Sequence, residues 1–191
     1  MQSKIEFAPN NHTNKMSYDN AVAAVYARDS KNVLRMLMIV EKPLRGTNDN
    51  LLNMPGGKRD TQDNDNYTVT ARREMMEETM DGNMETIDQK SMKYMWSYSM
   101  THRNNTVSVI VQFFYDKIVD PAYKPLKNSE TVGMVWVRVD QFRCLRDKKL
   151  INDTDHYEVV KHKLRLRGCC VNTFKSLSGV LDADLEQRVN C

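Results

Sequence analysis

Met54-Pro-Gly-Gly-Lys-Arg-Asp60, continued by Ala71-Arg-Arg-Glu-Met-Met-Glu-Glu-Thr-Met80, reads as a tight glycine loop feeding a carboxylate-rich helix. Pro55 fixes its own φ and pushes Met54 toward extended geometry, while Gly56 and Gly57 permit a close approach that a Cβ would block. A strand therefore ends at the loop. Tyr67 to Met80 holds no Gly or Pro and many good helix formers, and Asp81-Gly82 supplies a stop, so a helix of about four turns is expected. On it Glu74, Glu77 and Glu78 stand at i, i+3 and i+4 and share one face, while Ala71 and Met75 turn inward.

Like charges so placed repel by roughly 3 kcal/mol at about 6 Å and an effective dielectric near 20. Arg73 offsets one of them through its i+4 neighbour Glu77. Hard oxygen donors beside a loop are also what Mg²⁺ or Mn²⁺ prefers. Taken alone, the three glutamates fit a solvated acidic face better than a cation site. The loop and helix together shift that balance.

Together they resemble the Nudix hydrolase family, whose motif runs Gly, five residues, Glu, seven residues, Arg-Glu-apolar-any-Glu-Glu-any-Gly-apolar. Gly57 and Arg73-Glu74-Met75-Met76-Glu77-Glu78 match its two ends, and the preceding Pro55-Gly56 is also typical of the family. The chain departs from the motif in three places. It has two extra residues between Gly57 and Arg73, so the first glutamate falls on Asp65 counted back from the helix, or on Asp63 counted forward. In the family that acid braces the arginine; Asp65 is taken as the partner of Arg73, with the insertion absorbed by Thr61 to Asn64. Met80 replaces the closing glycine, with Gly82 two positions late, and Asp81 occupies the apolar position.

The resemblance implies a mixed sheet between helices, an α/β/α sandwich of the α/β (α+β) class, over about residues 20 to 150. It implies attack of water on a diphosphate linkage with Mg²⁺ or Mn²⁺ as cofactor. By motif position Glu77 and Glu78 are the principal metal ligands, Glu74 supports them or shares the base role, and the Gly57 carbonyl is a further ligand. Arg73 holds the acidic cluster. Family members often carry the general base in a loop before a later strand, where Glu130 stands here; its other reading is an ordinary loop acid. Lys58, His102 and Arg103 are candidate phosphate or base contacts, or solvent-facing side chains. Trp96, Tyr98 and Tyr26 stack on a nucleobase or pack the core.

The composition bounds these readings. With 191 residues and 40% apolar content the chain suits one domain. A net charge of +3 is compatible with an anionic substrate and is too small to imply nucleic acid by itself. Cys144, Cys169, Cys170 and Cys191 lack metal-site spacing, and thiols in a reducing compartment are expected. No apolar run has signal-peptide or membrane-spanning length, so the chain is expected to be intracellular and cytoplasmic, or in host cytoplasm or nucleus if viral, with no membrane partner.

Along the chain, residues 1–17 read as a tail or lead-in strand and 18–150 as the core. Ala21–Tyr26 and Leu34–Val40 read as a hairpin, and Ser91–Tyr98, Thr106–Tyr115 and Val132–Val139 as further strands. Asp140 is expected to cap a helix to Leu150. Residues 151–191 read as a helical segment packed on the core, with Lys161, Lys163, Arg165 and Arg167 on its polar face and Gly168 as its break. Three functions follow: a hydrolase of nucleoside-diphosphate-linked substrates of the ADP-ribose type, a cap hydrolase that binds capped RNA through the basic segment, or a non-catalytic nucleotide-binding module. A homo-oligomer is compatible with all three. The intact Glu74, Glu77 and Glu78 argue against the last, because a degenerate site has no reason to keep mutually repelling acids.

Overall fold

Two apolar runs, Ala21–Ala27 and Met36–Val40, are apolar on both faces, which suits strands at the centre of a covered sheet. The computed structural model describes residues 5–7, 17–42, 50–102, 104–127, 131–139 and 165–166. Within them lie β1 (Ile5–Phe7), β2 (Asn20–Arg28), β3 (Leu34–Glu41), β4 (Leu51–Asn53), β5 (Gly56–Lys58), α1 (Tyr67–Thr79), β6 (Met92–Thr101), β7 (Val107–Tyr115), β8 (Lys124–Pro125), β9 (Thr131–Arg138) and β10 (Arg165–Leu166).

All ten strands join one sheet in the order β1-β6-β7-β2-β3-β4-β10, with β5 added to β2, β9 to β3 and β8 to β9. The sheet is mixed, as expected: β2 runs parallel to β7 and antiparallel to β3 and β5. The lead-in strand β1 pairs with Tyr98–Met100 of β6. The β2–β3 hairpin turns on Asp29, whose Oδ1 accepts the Lys31 and Val33 N–H groups while Oδ2 accepts the Arg35 Nε–H at 2.6 Å. Arg35 also donates to the Trp136 carbonyl, which ties the hairpin to β9.

Ala21, Ala23, Val25 and Ala27 face α1 and pack with Ala71 and Met75. These small side chains let the helix lie close to β2. The opposite face gathers Ala24, Tyr26, Met36, Met38, Trp96 and Tyr98. All three aromatics proposed as stacking groups are buried there, Trp96 at 5% and Tyr26 and Tyr98 at 1% exposure.

Two expectations for the C-terminal part fare differently. The helix Asp140 to Leu150 and all four cysteines lie outside the described residues. Where a helix is expected up to Gly168, Arg165–Leu166 instead form a strand parallel to Leu51–Leu52. A two-residue strand gains its stability from the sheet edge it completes, a long-range term that local periodicity does not carry. Among the described residues no helix is long and apolar enough to cross a membrane.

Candidate active site

The glycine loop is built as a strand, not a free loop. Gly56–Lys58 pairs antiparallel with Asn20–Val22, and the Ala23 N–H donates to the Pro55 carbonyl at 2.8 Å. Backbone lies against Gly56 and a side-chain carboxylate against Gly57. A Cβ on Gly56 would meet the Ala21 carbonyl and the Val22 Cα at 2.6 Å, and one on Gly57 would sit inside the Glu74 carboxylate. The helix follows from an Asn66 cap, whose side chain accepts the Thr68 and Val69 N–H groups, and it ends at Thr79 with Met80 extended.

The three glutamates are brought to this strand by the helix. Glu78 Oε2 accepts the Gly56 N–H at 2.8 Å, and the Glu74 carboxylate lies on Gly57. Arg73 joins the set: Nη1 donates to Glu74 at 2.9 Å and Glu77 at 3.1 Å, and Nη2 to the Lys58 carbonyl at 3.0 Å. Its remaining bonds correct an expectation. Arg73 is paired with Asp63, not Asp65, through Nε to Oδ1 and Nη2 to Oδ2, both at 3.0 Å. Asp65 turns outward to Arg59 at 2.7 Å.

Local backbone geometry decides between the two acids. Asp60 caps a short 3-10 turn over Thr61–Asp63 in a capping box: its side chain accepts the Gln62 N–H while Asp63 Oδ2 accepts the Asp60 N–H. That box points Asp63 inward. Asn64 and Asp65 then take left-handed conformations, φ 51 and 56, which absorb the two extra residues and swing Asp65 out. Sequence reading missed Thr70 and Tyr18 here. Thr70 Oγ donates to Asp63 at 2.7 Å, so its one proton is spent and the Tyr18 hydroxyl, 2.8 Å away, donates to Thr70. The aspartate-to-aspartate spacing of the capping box was the available signal.

The electrostatics follow from these contacts. Asp63 is 1% exposed, and the hydrogen bonds from Arg73 lead in holding its carboxyl down at about 2, against desolvation. The Arg73 guanidinium is correspondingly harder to deprotonate. Glu74 is shifted the other way, raised chiefly by burial and further by the charges of Glu77 and Asp63, with Arg73 opposing. Asp63 has a depressed folded-state pKa, so its stabilisation is present above the unfolded value and lost as pH falls from about 4 toward 2. We expect acid unfolding to track that window, with about 1–2 kcal/mol lost after allowance for solvent screening. Unfolding midpoints measured from pH 7 to 2 for wild type and Asp63→Asn check this; the variant should lose that part of the dependence, the remainder coming from Asp29 and Asp88, whose carboxyls are also held low.

The other predicted contacts are placed as follows. Lys58 is exposed, at the end of β5. His102 bonds Ser108 Oγ through Nε2 at 2.8 Å, and Ser108 and Lys58 are both register partners of Asn20, so the two sit at the same end of the sheet. Arg103 and Glu130 lie outside the described residues. As donors, Glu74, Glu77, Glu78 and the Gly57 carbonyl suit a hard divalent cation in kind. Among the described residues no three acidic, His or Cys side chains converge as a metal ion requires; as they stand, Arg73 neutralises Glu74 and Glu77, and Gly56 holds Glu78.

The family model of the NUDIX domain matches residues 17–162. The chain belongs to the Nudix family. It is a Nudix hydrolase, a pyrophosphohydrolase by class. No curated protein matches it by sequence. Among solved structures it is similar to a Nudix hydrolase from M. smegmatis, RenU, at TM-score 0.51 and 13% identity over 87% of each chain. It is also similar to a C. elegans Ap4A hydrolase, at TM-score 0.48 and 13% identity over 84% of this chain and 98% of that one. A third is the NUDIX domain of Shewanella oneidensis NrtR complexed with ADP ribose, at TM-score 0.45 and 12% identity, covering 71% and 82%. The first of these likenesses establishes the Nudix fold.

A Nudix site this tight gives a sharp expectation at Gly57. Gly57→Ala should displace the Glu74 carboxylate and lower kcat at least tenfold, with a stability loss of about 1 kcal/mol. Paired activity and unfolding measurements separate the two effects.

Proposed function

We propose that this Nudix hydrolase cleaves the diphosphate linkage of a nucleoside-diphosphate-linked substrate with the aid of Mg²⁺ or Mn²⁺. The observation that carries the reading is the convergence of Glu74 and Glu78 on the adjacent glycines of β5, with Arg73 bonded to Glu74, Glu77 and Asp63 at once. Glu74, Glu77, Glu78 and the Gly57 carbonyl would hold the cation. When bound, it neutralises charge on the diphosphate oxygens.

The protein's own groups do the rest. Arg73 sets the positions of Glu74 and Glu77, and Asp63 sets Arg73. Glu74, whose proton affinity is raised chiefly by burial, would support the cation or share in taking a proton from the attacking water, with Glu130 as the candidate general base. Lys58 and His102 stand at the same sheet end as candidates to meet the anionic substrate.

A panel assay decides the substrate: ADP-ribose, a dinucleoside polyphosphate and cap-labelled RNA, each with Mg²⁺ or Mn²⁺. Metal-dependent release of nucleoside monophosphate from ADP-ribose is expected to be fastest. Turnover of none of the three would sink the reading, and preference for the cap would move it to the RNA substrate.

A further inference from the structure

A cavity of about 370 Å³ opens where the ends of β7 and β9 meet Ile118–Pro125, on the sheet face that carries α1. That volume lies within the range of small-ligand sites, roughly 300–1,000 Å³. Two aromatic side chains, Tyr115 and Trp136, share its inner surface with Ile87, Val119 and Met134. The rings of Tyr115 and Trp136 lie nearly parallel, 15° apart with centroids at 6.1 Å, and are 8% and 3% exposed. Tyr123 also lines it, but its ring packs on the other face of the sheet: its hydroxyl donates to the Val132 carbonyl at 2.7 Å, and a Cβ on Gly133, which alternates away from Met134 and Trp136, would run into that ring.

The charge of the lining narrows the ligand. The charged groups that line it, Asp120 and Lys124, have opposite signs, so the cavity has no net charge with which to hold a phosphate. Tyr and Trp offer flat faces and polar edges, which suits a planar ring bearing nitrogen and oxygen acceptors better than an aliphatic chain. Stacking of a base on such side chains is worth about 1–3 kcal/mol. At the mouth, Ile118 is 75% exposed, an apolar rim on the path a ring would take.

The cavity is also distinct from the glutamate cluster while sharing its framework. Thr131 of β9 donates to the Glu78 carbonyl at 2.9 Å, and Trp136 follows about 17 Å along the strand. Thr86, which lines the cavity, donates to the Thr79 carbonyl at the end of α1 at 2.6 Å.

We propose that this cavity is a second site, which binds the uncharged ring of a nucleobase without help from phosphate or metal. The proposal leans on the nucleotide reading only for the choice of ligand. The test uses neither phosphate nor metal, so its failure is distinguishable from failure of the hydrolase reading. The chain has two tryptophans, and Trp96→Phe leaves Trp136 as the sole reporter. Adenosine and guanosine, titrated into that variant without metal, should quench its fluorescence saturably. Ile118→Asp and Ala122→Phe, both at exposed positions that the fold tolerates, should weaken the quenching at least tenfold in half-saturation concentration. No saturable quenching by either nucleoside, or quenching that both mouth variants leave unchanged, overturns the proposal.

Discussion

Glu78→Gln is expected to abolish metal-dependent hydrolysis, lowering kcat by about a hundredfold or more, while the unfolding midpoint stays within experimental error of wild type. The substitution is nearly isosteric and keeps an oxygen that can accept the Gly56 N–H, now at 2.8 Å. The Thr131 bond goes to the backbone carbonyl of residue 78 and survives any side-chain change. What is lost is one negative charge from the donor set. Cation stabilisation of the transition state is worth several kcal/mol, and each 1.36 kcal/mol is tenfold in rate. The measurement is kcat at saturating Mg²⁺ or Mn²⁺ alongside thermal unfolding. Undiminished turnover in the variant would remove Glu78 from the ligand set.

The largest stability effect is expected at Asp63. Asp63→Ala removes the bidentate partner of Arg73, leaves the Asp60 N–H short of an acceptor and leaves the Thr70 hydroxyl only its longer bond to the Asn66 carbonyl. Breaking a buried pair from one side costs about 3–5 kcal/mol. The low end applies, because Arg73 is 19% exposed and keeps its bonds to Glu74 and Lys58. Asp65→Asn is the control: it keeps a residue that tolerates the left-handed backbone of this position, and the pair with Arg59 is 53% and 41% exposed, so a change below about 0.5 kcal/mol is expected. Denaturant midpoints for the two variants decide the assignment. Equal losses would mean that the motif acid is shared between both positions.

That comparison also shows where the sequence was legible. The helix, its carboxylate face and the glycine strand could be read because their signals are local: i and i+4 spacing, absence of Gly and Pro, and paired glycines. Counting residues could not choose between Asp63 and Asp65, since the choice lies in the φ of Asn64 and Asp65, and the signs of those angles follow from the turn. Gly57 was readable as a glycine that something approaches. That the approaching group is Glu74 needed the fold. The parallel pairing of β2 with β7 was invisible for a different reason, because hairpin logic joins only neighbours in the chain. Arg165–Leu166 escaped for the same reason, as its partner is more than a hundred residues upstream.

The anchoring of β5 on β2 sets the order in which the site can come into being. The Val107 N–H is bonded to Asp19 across 88 residues, and β2 is braced on that side by β7 alone. During synthesis the glycines and glutamates leave the ribosome together, and we expect them to reach their final register only when the chain has been made through Tyr115 and β7 can close the free side of β2. Such late, long-range closure slows folding. In a cell, catalytic competence would arrive with the second half of the chain, and truncation products ending before that strand would be inert toward substrate.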